Sequence, residues 1–141
     1  MTHSSREPRT FASRCWAGGS ALMLVGVVFG AFGTHLLEGR LAAAQFSHYQ
    51  TAVLYHLLHG LGLLLVGLIA QVRGETRALR LVAGLMLGGV VCFSGSIYLI
   101  TAGAPRAIAA AAPVGGMAFM AAWGLLAWYA RGQLFSRPGA T

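Results

Sequence analysis

Four long apolar segments alternate with short polar segments along this chain. The apolar runs cover about 16–36, 51–72, 81–102 and 107–130. A helix needs roughly 20 apolar residues to cross a hydrocarbon core about 30 Å thick. The pattern therefore predicts an all-α protein, an integral membrane bundle of four transmembrane helices that fills residues 15–131.

The remaining residues are predicted to be tails. Residues 1–14 are polar and rich in Arg, and indicate a disordered cytoplasmic tail. Residues 132–141 indicate a second cytoplasmic tail. A basic tail before an apolar run also resembles a signal peptide, but this run is longer than a typical signal core and further spans follow it. We therefore expect the first run to remain as a span.

Composition supports a membrane protein and disfavours a nucleic-acid partner. The chain is 57% hydrophobic and 9% charged, whereas about 25% of the residues in a soluble domain are charged. The net charge is +7, and the ten basic residues are all Arg in short segments between apolar runs. Charges in such segments are topology signals, so we predict the lipid bilayer as the main partner and no nucleic acid.

The Arg residues also predict the orientation. Eight of the ten lie in the two tails and in the second connection, and the first and third connections hold only Arg40 and Arg106. The positive-inside rule then places both termini in the cytoplasm. Cys15 and Cys92 lie at different depths in this topology, so no disulfide is predicted between them.

Small residues predict where helices pack closely or bend. Glycine lets two helix backbones approach each other in a membrane, and proline frees a backbone carbonyl one turn earlier. Such packing is possible inside the bundle, in a homo-oligomer, or with other membrane proteins. The candidate residues are Gly26, Gly30, Gly33, Gly84, Gly88, Gly95, Pro113, Gly115 and Gly116.

Polar residues of every span lie in the half of the predicted bundle that is nearer the outside. Polar groups buried in hydrocarbon must find hydrogen-bond partners. The carbonyl of Ala109, freed by Pro113, is one acceptor that a hydroxyl or an imidazole can satisfy. The predicted polar cluster consists of His35, Tyr55, His56, His59, Ser94, Ser96 and Tyr98.

This cluster allows three interpretations. It is a hydrogen-bonded group that fixes helix packing, or an outward-facing cavity in which neutral His side chains bind or pass a small molecule, ion or proton. A metal site is a narrower version, in which His35 or Glu38 completes the pair of His56 and His59. A pair of His three residues apart is a weak signal, so we predict no metal and no other cofactor.

No motif in the sequence predicts catalysis. A nucleophile elbow, a phosphate-binding loop and paired carboxylates within a span are all missing from the pattern. The acidic residues are Glu7, Glu38 and Glu75, and all three lie outside the predicted spans. We therefore predict that the protein is not an enzyme.

Four motifs resemble a known family of small membrane proteins. The sequence is similar, over about residues 26–126, to the family catalogued as domain of unknown function 423, whose animal relatives are called transmembrane protein 256. The resemblance implies a four-span protein, of the inner membrane in bacteria, with no established activity. The motifs are GAFGTH at 30–35, TAVLYHLLHG at 51–60, FSGSIYL at 93–99 and PVGGMAF at 113–119.

The chain departs from the family pattern at two positions. The family usually has Gln where this chain has His56, and Ala where it has Gly60, while His35, Tyr55 and His59 match. The departure weakens a mechanism that needs His56 as a ligand. Our leading functional hypothesis is a non-enzymatic structural or interaction role; the alternative is binding or transport through the polar cluster.

Overall fold

The computed structural model of the chain describes residues 10–135, and all of its regular structure there is helical. Four helical segments are long and apolar enough to cross a membrane, which confirms the predicted all-α, four-span fold. The elements are α1 (Thr10–Phe32), a π-helical turn (Gly33–Leu37), α2 (Ala43–Arg73), α3 (Arg77–Val90), a second π-helical turn (Val91–Gly95), α4 (Ser96–Thr101), a 3₁₀ turn (Arg106–Ala110) and α5 (Ala111–Phe135).

The helices extend beyond the predicted apolar runs. Helix α1 begins at Thr10, so residues 10–14 of the predicted tail are helical, and α5 continues to Phe135. Hydropathy marks where a helix crosses hydrocarbon, whereas helical hydrogen bonds continue into the interface. The rest of the predicted tails, residues 1–9 and 136–141, lies outside the described residues.

Helix α2 also begins before the predicted span. It starts at Ala43 and has 31 residues, which corresponds to a length of about 46 Å. The hydrocarbon core is only about 30 Å thick. The helix is therefore longer than the hydrocarbon core is thick, and much of the connection 37–50 is a helical extension of the second span before its apolar run begins.

The helices form two antiparallel pairs, which meet where α2 packs against α3. Helix α1 packs along α2, and α3 packs along α5. We call the end of the bundle that carries residues 38–42 and 102–105 the far end, and the end that carries residues 74–76 the near end. The largest fully buried apolar side chains lie in the near half: Val66, Leu79, Val82 and Met86.

A short turn at the near end joins α2 to α3. Gly74 has a positive φ of 89°, a conformation that glycine adopts without steric cost. The Thr76 hydroxyl then accepts a hydrogen bond from the Leu79 N–H at 3.2 Å and caps α3. Arg80 and Glu75 form an ion pair at 2.8 Å on the surface.

Several predicted packing glycines lie where helices touch. A Cβ added at Gly26 would be 2.7 Å from Leu57 Cδ2, and one at Gly33 would be 2.5 Å from Tyr49 Cε1. Gly30 allows an ordinary contact with α2. Gly115 is the most constrained of the set, because an added Cβ would be 2.5 Å from the backbone nitrogen of Phe93.

Other predicted packing glycines do not touch a neighbouring helix. A Cβ added at Gly84, Gly88 or Gly116 would meet no atom within 4 Å, and one at Gly95 would have only an ordinary contact with its own span. Gly84 and Gly88 therefore face away from the described bundle. The sequence showed their spacing but not which neighbour, if any, lies opposite them.

Candidate functional site

The most completely bonded side chain of the polar cluster is His59. Its Nδ1 lies 2.7 Å from the Tyr55 carbonyl oxygen, and its Nε2 lies 3.1 Å from the Trp123 Nε1. An indole N–H is only a donor, so His59 Nε2 must be the acceptor and the proton must lie on Nδ1. The imidazole is therefore neutral, with both nitrogens bonded.

Aromatic rings cover the faces of this imidazole. The ring of Phe119 stacks on His59 with centroids 3.4 Å apart and an interplanar angle of 14°. The Tyr55 ring lies 5.9 Å from the imidazole and 5.0 Å from the Phe93 ring. His59 is 3% exposed, and its contacts join α2 to α5. Its geometry is that of a packing residue and leaves no nitrogen free for a ligand.

The two serines of the cluster bond to backbone carbonyls. Ser94 lies in the second π-helical turn, is fully buried, and donates to the Ala52 carbonyl at 2.8 Å. Ser96 donates to the Phe93 carbonyl in its own span at 2.9 Å. The Ser94 hydrogen bond thus joins the third span to α2, whereas the Ser96 hydrogen bond stays within the third span.

Pro113 was predicted to free the Ala109 carbonyl for a side chain of the cluster, and the structure shows a different arrangement. Pro113 lies in the first turn of α5, where backbone N–H groups have no partner inside the helix, so proline costs no hydrogen bond there. The chain before it forms the 3₁₀ turn Arg106–Ala110. The serine hydroxyls bond to other carbonyls and not to that of Ala109.

A second group of rings joins the first three spans. The Tyr49 hydroxyl donates to the Phe29 carbonyl at 2.7 Å, and the Tyr98 ring stacks on the Phe29 ring at 4.4 Å. The Tyr98 hydroxyl lies 3.3 Å from His56 Nδ1. Tyr98 therefore connects α4 to both α1 and α2.

Among the buried members of the cluster that the structure describes, His56 has the unpaired nitrogen. It is 4% exposed, and its Nε2 has no hydrogen-bond partner among the described residues. The backbone of Leu22 on α1 lies near this imidazole. A buried group left unpaired costs about 1–3 kcal/mol. His56 is therefore a weak point in an otherwise bonded cluster.

Replacing His56 with Gln is expected to increase stability by up to about 1 kcal/mol. A Gln amide carries both a donor and an acceptor, so one end can serve the Tyr98 hydroxyl while the other approaches Leu22. The control is His56→Leu, which removes the polar partner of Tyr98. Denaturant-induced unfolding in detergent measures both, and a Gln variant less stable than the Leu variant would contradict this account.

His35 is not part of the cluster that the structure forms. Its side chain is exposed, and no hydrogen bond or ring contact joins it to the other six predicted residues within the described chain. Gly33 packs against the Tyr49 ring, and residues two apart on a helix face opposite sides. The side chain of His35 therefore points away from α2.

The proposed metal set is not assembled either. Glu38 is exposed, and His59 uses both nitrogens for other partners. Within residues 10–135, no three His, Cys, Asp or Glu side chains come together in a way that would hold a metal. Cys15 and Cys92 are free thiols.

Sequence reasoning missed the aromatic partners of the cluster. Tyr49, Phe119 and Trp123 carry contacts as important as those of the predicted residues. One signal was available: a buried indole or phenol needs a hydrogen-bond partner, and Trp123 and Tyr49 are such groups within helices. Spacing alone could not identify their partners on other helices.

A cavity lies beside the cluster at the far end. Its volume is about 590 Å³, and α2, the third span and the 3₁₀ turn line it. None of the seven predicted cluster residues is among its lining residues. The predicted cavity and the observed cavity therefore occupy the same half of the bundle but are built from different side chains.

Comparison with known proteins identifies the family. The family described as Protein of unknown function (DUF423) matches residues 29–116. A UPF0382 membrane protein of Staphylococcus saprophyticus is 41% identical over 108 residues, which cover 76% of this chain and 86% of that protein. No solved structure matches the chain.

Relatives from two other bacteria show the same relation. The UPF0382 membrane protein YwdK of Bacillus subtilis is 36% identical over 104 residues, covering 74% of this chain and 83% of that protein. The UPF0382 inner membrane protein YgdD of Escherichia coli is 35% identical over 101 residues, covering 71% and 76%. With four helices able to cross a membrane, the chain is a multi-pass membrane protein that belongs to the DUF423 family, as its four motifs predicted.

Proposed function

We propose that this is a non-enzymatic protein of the bacterial inner membrane that acts by packing against other transmembrane helices, most simply those of a second copy. The inner membrane is the location in the name of the Escherichia coli relative. The Arg distribution supports cytoplasmic termini. The single observation that carries the proposal is the outward-facing glycine pair of α3.

Gly84 and Gly88 lie one helical turn apart on a surface with no neighbour in the described chain. A Cβ added at either position would meet no atom within 4 Å. Leu81 and Val91, which continue the same face at helical spacing, are 56% and 65% exposed. A glycine pair between larger apolar residues is the pattern that lets two membrane helices approach closely.

Glycine in a helix costs roughly 0.5–1 kcal/mol relative to Ala. Gly26 and Gly33 offset this cost by contacts with α2, and Gly115 does so by contact with the third span. Gly84 and Gly88 have no such contact within the described residues. A partner helix outside the monomer would provide close contacts that offset the cost of both glycines.

The bonded state of the polar cluster also supports a role without catalysis. His59, Ser94 and Ser96 have partners inside the protein, and these bonds link helices or complete their turns. A general acid or base must instead reach its substrate. The cluster therefore favours a rigid bundle, whose outer surface is available for contacts.

The double variant Gly84→Leu/Gly88→Leu is expected to weaken self-association by about tenfold or more, because bulky side chains hold the backbones apart. Energy transfer between donor- and acceptor-labelled copies in lipid vesicles measures it as a function of protein-to-lipid ratio. The matched control is Gly116→Leu/Gly124→Leu on α5, since these glycines also face open space but are eight residues apart and so do not form a pair one helical turn apart.

Two results would overturn the proposal. One is a wild-type protein that stays monomeric at every protein-to-lipid ratio. The other is an equal loss of energy transfer in the α3 and α5 variants, which would mean that the α3 face is not special. Thermal unfolding of each variant verifies that the monomer fold is retained.

Transport or binding through the predicted His and Tyr cluster is less well supported. His59 has no free ring nitrogen, and His35 lies outside the cluster. The observation that favours a binding role is the separate far-end cavity, which differs from the cluster in its lining and in its charge.

A further inference from the structure

The far-end cavity has a polar rim and an apolar wall. Gln45 and His48, from the first two turns of α2, and Arg106, from the 3₁₀ turn, provide the polar groups. Ile97 and Phe93 of the third span provide apolar surface. At about 590 Å³ the cavity is within the roughly 300–1,000 Å³ typical of ligand pockets.

The rim and the wall lie at different membrane depths. Gln45 and His48 precede the apolar run that begins near residue 51, and Arg106 precedes the apolar run of the fourth span. Ile97 and Phe93 lie progressively further into the third span from its far end. The polar groups are thus at the level of lipid headgroups, and the apolar surface is at the level of acyl chains.

The positive charge of Arg106 on the rim favours an anionic headgroup. The Arg106 side chain is exposed and forms no ion pair with an acidic residue in the described part of the chain. Guanidinium is always cationic in proteins and presents paired donors that match a phosphate or carboxylate. Gln45 Oε1 accepts a bond from the Ala42 N–H at 3.4 Å, which leaves its amide nitrogen as a second donor.

We propose that this cavity binds one anionic phospholipid of the surrounding leaflet, with the phosphate on Arg106 and one acyl chain along Ile97 and Phe93. The arrangement joins a cationic group that has no acidic partner among residues 10–135 to an apolar recess at the correct depth. Binding of this kind needs no covalent step. It is independent of the glycine pair on α3, which lies toward the near end.

The proposal is tested by adding phosphatidylglycerol or phosphatidylcholine to the purified full chain and counting the bound lipids by native mass spectrometry. The wild type is expected to retain one phosphatidylglycerol at concentrations where phosphatidylcholine is lost. Arg106→Gln is expected to weaken phosphatidylglycerol binding by about tenfold, because one charge-assisted contact is removed. Arg40→Gln is the control, since Arg40 is also at the far end but does not line the cavity.

A second variant tests the acyl chain. Ile97→Trp fills the recess without changing charge, and it is expected to weaken phosphatidylglycerol binding while the protein keeps its unfolding temperature. Inorganic phosphate added in excess is expected not to displace the lipid.

Four outcomes would overturn the proposal. Equal retention of the two lipids by the wild type, or equal losses in the Arg106 and Arg40 variants, would show only non-specific lipid around the bundle. Displacement by inorganic phosphate alone would show a site for a free anion. Unchanged binding in a folded Ile97→Trp variant would exclude the recess as the acyl site.

Discussion

Replacing Gly115 with Ala is expected to lower the free energy of unfolding by about 3 kcal/mol, the upper part of the range for overpacking a close contact. The added methyl would lie 2.5 Å from the backbone nitrogen of Phe93 and 2.8 Å from the carbonyl oxygen of Gly89. A flexible side chain could rotate away, but these atoms belong to helix backbones. The fourth span would have to separate from the third.

The neighbouring glycine provides the control. Gly116→Ala introduces the same methyl where no atom lies within 4 Å, so it is expected to be neutral or to stabilise by up to about 1 kcal/mol through helix propensity. Both variants are compared with the wild type by denaturant-induced unfolding in detergent. Similar values for the two variants would show that the third and fourth spans are not in close contact at Gly115.

Replacing His59 with Ala is expected to cost about 3 kcal/mol, which is typical for removing a large buried side chain and leaving a cavity. The change removes the stacked contact with Phe119 and the hydrogen bond from Trp123. The Trp123 N–H would then lack its acceptor in a low-dielectric environment, which adds to the cost. Two of the contacts between α2 and α5 would be lost.

His35→Ala is the matched control, because it deletes the same imidazole at an exposed position. A change within about 0.5 kcal/mol is expected there, as for most surface substitutions. The same unfolding assay measures both His variants. An unchanged free energy of unfolding in His59→Ala would show that the cluster does not stabilise helix packing. A large effect of His35→Ala would show a role for His35 that the monomer does not reveal.

The two halves of the bundle are stabilised in different ways. In the near half, large apolar side chains such as Val66, Leu79 and Met86 fill the space between helices. In the far half, aromatic rings and hydrogen bonds from Tyr49 and Ser94 join the spans. Lipid tails are as apolar as Leu, so packing and hydrogen bonds hold membrane helices together more than the hydrophobic effect does.

Much of the fold was predictable from the pattern of apolar residues. Length and hydropathy predicted four spans because each backbone polar group in hydrocarbon must be satisfied within a helix. The pattern did not locate the helix ends, as α2 shows by starting at Ala43 and not near residue 51. It also gave no sign of the π-helical turns that contain His35 and Ser94.

The candidate site was predicted less well than the fold. Depth along each helix placed Tyr55, His59 and Ser94 in the same half of the bundle. In the structure all three lie where α2 packs against neighbouring spans. Depth does not specify the direction in which a side chain points, so His35 was assigned to the cluster and Arg106 was not assigned to a site. The glycines of the α3 face were identified by spacing alone.

The number of spans, the membrane environment and the family could all be read from the sequence, since these depend on local hydropathy and on motifs that are continuous in the chain. Tertiary structure decided which glycines are inside the bundle, which nitrogen of His59 carries the proton, and where a cavity remains. Those properties depend on the rotation of each helix about its axis and on the atoms that a neighbouring helix places opposite it.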